Sequence, residues 1–172
     1  MKKGILLAFI LSAGLVHGQD IFSAARSGNA AEVSTLYDFN ADTINAVNEQ
    51  GYSPLILACY YNQVEVIQLL MTYEVELKEE PGTPTALQAA CYKGFAVAAG
   101  LLLDYGANPN IADANGTSPL IYAAQFNHTA IVQLLVDHKV DRTYQDPRGL
   151  TARDYADKLG YTDVVDILDS VD

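Results

Sequence analysis

One motif recurs along this chain every 32 to 34 residues, and no other feature limits the fold as strongly. SPLILACYYN (53–62), TALQAACYKG (85–94) and SPLIYAAQFN (118–127) place Leu55, Leu87 and Leu120 in register, together with Ala58, Ala90 and Ala123. The register extends forward to Ala24 in IFSAARSG and onward to Ala156 in TARDYADKLG. A fixed period of this size means one supersecondary unit repeated, each copy burying its apolar face against the next. Five copies, at about 20–48, 49–80, 81–113, 114–146 and 147–172, are predicted to form a single domain over 19–172.

A second apolar pattern trails each first one. It runs Val66, Ile67, Leu69, Leu70; then Ala98, Ala99, Leu101, Leu102; then Ile131, Val132, Leu134, Leu135; then Val164, Val165, Ile167, Leu168. That spacing is helical with one buried stripe. Each unit therefore reads as two short antiparallel helices. Gly28, Asn62, Gly94, Asn127 and Gly160 close the first helix, at a position that suits a left-handed backbone. NEQGYSP, EEPGTPT, DANGTSP and DPRGLTA between units have the composition of tight turns. The fold class is all-α, a solenoid of about five helix pairs. Asp20 is a suitable first N-cap, and Asp157, Lys158, Asp163, Asp166 and Asp169 give the last unit a polar face, which predicts a monomer.

GTSPLIYAAQFNHTAIVQLLVDHKVD (116–141), with GANPN at 106–110, resembles the ankyrin repeat pattern, and the likeness covers the chain from residue 20 onward. The resemblance implies a non-catalytic module that docks a partner protein on the concave side of the stack. It also departs from the family: Ile56, Gln88, Ile121 and Asp154 stand where a turn-bonding histidine is usual. The third copy differs further, with Gly82 and Thr83 ahead of its dipeptide, which predicts an altered loop.

Residues 1–18 run from Lys2 and Lys3 through an apolar stretch, Ile5 to Leu11, to small residues ending at Gly18. This is the order of a cleavable signal peptide, too short in its apolar part for the roughly 20 residues of a membrane span. A periplasmic or secreted location is expected. Its removal would leave 8 Lys and Arg against 21 Asp and Glu, a net charge of −13. Such a surface repels phosphate backbones and anionic lipid, so neither nucleic acid nor membrane is an expected partner.

Cys59 and Cys91 occupy the same repeat position, in layers about 8–10 Å apart by ordinary helix packing. A disulfide needs Cα atoms within about 7 Å, so none is predicted. His128 and His138 lie at opposite ends of one helix, about 15 Å apart at about 1.5 Å per residue, and cannot share a metal. Asp113 to Gly116 reads as a turn rather than a calcium loop. No enzyme activity, metal or cofactor is expected.

Aromatic residues carry the functional prediction. Transferred position by position, the family's docking surface falls on Tyr52, Tyr60, Tyr61, Tyr92, Lys93, Gln125 and Phe126. Tyr73 and Tyr105, with Phe39 and His138, are the corresponding residues late in the second helices. Tyrosine is enriched among binding hot spots, and Glu49, Glu79, Glu80 and Asp113 would give the face an acidic rim. An inhibitor or immunity protein that blocks a secreted enzyme with the same face is the alternative.

Overall fold

The computed structural model describes residues 20–170, so the signal-peptide segment lies outside the described residues. Ten α-helices and no strand occur among them. They pair as α1 (Ile21–Ser27) with α2 (Ala30–Phe39), α3 (Pro54–Tyr60) with α4 (Val64–Thr72), and α5 (Ala86–Lys93) with α6 (Ala96–Asp104). The series ends with α7 (Pro119–Gln125) and α8 (Thr129–Asp137), then α9 (Ala152–Leu159) and α10 (Thr162–Asp169). A short 3-10 turn, Ala41–Asn45, follows α2.

Each first helix starts where a hydroxyl or carboxylate can take up an orphan N–H. Asp20 accepts from Ser23 N at 2.7 Å, Ser53 from Ile56 N at 3.2 Å and Ser118 from Ile121 N at 3.3 Å. Thr85 with Gln88, and Thr151 with Asp154, form reciprocal capping boxes. Termination is also uniform. Gly28, Asn62, Gly94, Asn127 and Gly160 all have φ between 57° and 80°.

The first helices pack more extensively on one another than the second helices do, which curves the stack toward the first row. Small residues allow that approach: Ala24, Ala58, Ala90, Ala123 and Ala156 are fully buried, with Leu55, Leu87 and Leu120 beside them. In the second row Val66, Ile67 and Leu70 are fully buried, as are Ala98, Ala99 and Leu102, while Leu69, Leu101, Leu134, Val165 and Ile167 are half-buried at the margin of the stripe. Cys59 and Cys91 are buried and unbridged, and burial pushes both thiols up.

Glycine at two of the helix ends has a packing reason beyond its backbone. A Cβ on Gly94 would lie 2.6 Å from His128 Cε1, and one on Gly28 would lie 2.3 Å from Gln63 Oε1. The next repeat therefore lays a side chain across the end of the previous first helix; Gln63 Nε2 also donates to Arg26 O at 2.8 Å. Gly94→Ala is expected to lose about 1–2 kcal/mol to the left-handed backbone alone, with the His128 clash added. Gly51→Ala, at φ 80° with nothing within 4 Å, isolates the backbone cost, so urea titration of the two variants should show Gly94→Ala as the worse.

The loops hold themselves without the missing histidines. Asn48 Oδ1 accepts from Gln50 N and Tyr52 N, Asp113 Oδ1 from Asn115 N and Thr117 N, and Asp146 Oδ1 from Arg148 N and Leu150 N. Gln88, at one histidine position, donates instead to Ile111 O at 2.9 Å. The third loop has Glu80 in place of Asn or Asp; Glu80 O accepts from Thr83 N as Asn48 O does from Gly51 N, but its left-handed glycine, Gly82, falls one residue early.

Asp146 is the most heavily bonded of these acids. The Tyr155 hydroxyl, donating to Oδ2 at 2.6 Å, together with the Leu150 and Arg148 donors, pulls its carboxyl down to about 2. A depressed folded-state pKa stabilises the fold above the ordinary carboxylate range, and that contribution disappears as pH falls toward 2. Asp146→Asn is therefore expected to flatten the acid limb of stability between about pH 4 and 2, measured by urea titration at successive pH values.

Candidate functional site

The first helix carries one position that decides the shape of the surface. It is Leu57 in the second repeat, Ala89 in the third, Tyr122 in the fourth and Tyr155 in the fifth. Tyr122 donates to Asp113 Oδ2 at 2.7 Å and Tyr155 to Asp146 Oδ2 at 2.6 Å, so both rings lie against their own loops. Burial and the Asp113 carboxylate push the Tyr122 phenol up to about 12. Where the position is only leucine or alanine, no ring fills the space between helix and loop. A groove of about 580 Å³ opens there, floored by Ile56, Leu57, Gln88 and Ala89 and closed at one end by Tyr122.

Its margins carry the predicted aromatics. Tyr52 stands on the loop side with Gln50 and Asn115, and Tyr60, Tyr61 and Tyr92 stand on the side of the helix ends with Arg26. Tyr52, Tyr60, Tyr61, Tyr92 and Phe126 are each between 37% and 47% exposed, so none is core. Tyr92 is the hub. Its ring lies nearly parallel to Tyr60 at 6.4 Å and meets Tyr122 and Phe126 edge-on at 5.5 and 5.1 Å. Tyr60 meets Tyr61 edge-on at 5.2 Å. Lys93 Nζ lies 4.9 Å over the Tyr60 ring, and Arg26 Cζ lies 5.9 Å from the Tyr61 ring.

Several predicted residues lie elsewhere. Tyr73 stacks on Tyr37 at 3.9 Å and donates to Ser34 Oγ at 3.0 Å, and Tyr105 donates to Val75 O at 3.3 Å. Both belong to the second row, where they tie one layer to the one before it. Gln125 is half-buried and lies near Tyr155 of the next repeat. The predicted acidic rim is reduced to one member: only Asp113 lines the groove, and Glu79 turns away to accept from Asn108 N at 2.8 Å. Burial pushes the Glu79 carboxyl up.

Tyr122 was not among the residues singled out in the sequence. Its signal was there, because Asp113 and Tyr122 stand nine apart, as do Asp146 and Tyr155. The second and third repeats lack both partners of that pair.

His128 is held over Gly94, with Nε2 3.4 Å from Tyr92 O, and His138 Nε2 lies 3.9 Å from Asp104. Among the described residues no group of three or more His, Cys, Asp or Glu side chains could hold a metal ion. No described helix is long and apolar enough to cross a membrane.

The model of a three-copy ankyrin repeat unit matches residues 21–113 and again 87–170. The chain belongs to the ankyrin repeat family. Its relatives include the human ankyrin repeat domain-containing protein 63, 33% identical over 132 residues, which is 70% of this chain and 34% of the relative. An ankyrin repeat-containing protein of Treponema pallidum is 29% identical over 136 residues, 72% of this chain and 46% of the relative. The rat ankyrin repeat and SAM domain-containing protein 6 is 31% identical over 120 residues, 67% of this chain and 14% of the relative. The chain thus spans less than half the length of these relatives. Ankyrin repeats are generally protein–protein interaction modules, and the groove lies on the first-helix and loop side of this ankyrin stack.

Proposed function

We propose that this chain is an exported, non-catalytic module that binds a partner protein in the groove between the first helices and the loops of its first four repeats. One observation carries the reading: five large aromatic side chains, each well exposed, cluster on one side of the stack, and four of them, Tyr52, Tyr60, Tyr61 and Tyr92, line the groove. Exposed rings in a group are an unusual feature of a surface without a partner. Here their neighbours hold them in place, so little side-chain freedom is lost on binding. Cys59 and Cys91 are buried and His128 is packed across a helix end, which leaves the groove without a nucleophile and base in contact.

Export rests on the Lys2, Lys3 and apolar segment at the N-terminus. N-terminal sequencing of the protein recovered from the periplasm or medium checks it: a new terminus near Gln19 is expected, and an intact Met1 in the cytoplasm contradicts it. Partner binding is tested by affinity capture from the same fraction with the protein and with Tyr60→Ala/Tyr92→Ala. A partner held by the first and released by the second is expected. Assay of the captured protein then separates an inhibitor, which abolishes its activity, from a scaffold, which leaves it intact.

A further inference from the structure

We infer that the groove takes a short acidic segment of a partner protein, with a carboxylate seated against Arg26 and Lys93. The inference rests on the groove being the binding face and adds the chemistry of its ligand. It runs against the overall charge, since 21 acids against 10 bases point to a basic partner.

The distribution of the cations gives the opposite answer. Arg148 pairs with Asp146 and Arg153 with Asp169, and Lys78 and Arg142 donate to Asn45 O and Ser170 O. Arg26 and Lys93 differ. Neither has a carboxylate within ion-pair distance, and each lies instead against a tyrosine ring at the edge of the groove. Tyr60 and Tyr61 are in contact with each other, so the two cations flank a single aromatic pair.

A ring face holds a cation in position but leaves its N–H donors free, whereas a carboxylate would have consumed them. The Asp113 carboxylate, the acid that lines the groove, is already taken by Tyr122 and by the Asn115 and Thr117 amides. The helix-end margin thus offers cationic donors, with no acid of its own to neutralise them. Opposite them, the exposed Gln50 and Asn115 offer amide groups to the backbone of a bound segment. A long polyanion would meet the acidic remainder of the surface along most of its length, and one or two carboxylates on a peptide would not.

The test uses purified protein and a phage-displayed library of random short peptides. The peptides selected are expected to be richer in Asp and Glu than the starting library. A synthetic peptide from that set should lose about tenfold in affinity on Arg26→Gln/Lys93→Gln and should weaken as salt rises. Arg26→Glu/Lys93→Glu should turn selection toward Lys and Arg. Both cations are exposed, and circular dichroism should show both double variants folded; a variant that does not fold is replaced by the single Lys93 change, for which loss of acidic selection is again expected.

Neutral or basic peptides that bind the unaltered protein and are lost on Tyr60→Ala/Tyr92→Ala would overturn the acidic ligand while leaving the groove in place. Peptides indifferent to both pairs of substitutions would overturn the groove as well. Failure to enrich any peptide, or tighter binding of a single-stranded oligonucleotide than of the acidic peptides, also counts against the inference.

Discussion

Replacing Tyr60 and Tyr92 together by alanine is expected to weaken partner binding by about 100-fold, the scale of one or two truncated hot-spot rings. The two rings lie nearly parallel at 6.4 Å on the helix-end margin of the groove. Tyr92 also meets Tyr122 and Phe126, so its loss should cost about 1 kcal/mol of stability from edge-on ring contacts. The fold should survive this, because both side chains are more than a third exposed. Titration calorimetry against the captured partner, alongside urea unfolding, separates the two effects. Tyr92→Phe keeps the ring and should keep most of the affinity. Unchanged binding by the double variant would remove these rings from the interface.

Leu87→Ala should have the largest effect on the fold. Leu87 is fully buried in the middle repeat, with layers on both sides of it. Truncating such a leucine removes about 2–5 kcal/mol, depending on how far the neighbours collapse into the space. In a stack held by nearest-neighbour interfaces, damage at the centre weakens two interfaces and damage at an end weakens one. Leu168→Ala, in the last helix, is therefore expected to cost clearly less in the same urea titration. Equal losses at the two positions would contradict a stack whose stability is built layer on layer.

The parts of this fold that depend on residues close in sequence were readable before any coordinates. The register of Ala24, Ala58, Ala90, Ala123 and Ala156 marked the closely packed row of first helices. The left-handed residues ending those helices fell at the five expected positions. What could not be read was which copy fills a space left by another. Gly94 reads as a helix stop, and only the coordinates show His128 of the following repeat lying over it. Tyr73 and Tyr105 sit at positions that suggest exposure, yet their hydroxyls bond to the preceding layer. Likewise Ala89 looks like one more small helical residue. It becomes the floor of a groove only because alanine at this helix position sends no ring toward the loop, as Tyr122 does in the next repeat.

The charge reading had a similar limit. Composition describes the surface as a whole, whereas recognition depends on the few groups at the groove. Glu79 contributes to the acidic total but is committed to Asn108 N, while Arg26 and Lys93 stay at the margin.

The most direct test of the groove as binding face is site-specific photo-cross-linking in the producing cells. A benzophenone side chain replaces Tyr92, which lines the groove, or Val97, which is 63% exposed on the second helix of the same repeat. Illumination is expected to give one discrete adduct from position 92 and none from position 97. The same adduct from position 97, with none from position 92, would place the partner on the other row of helices and contradict the account.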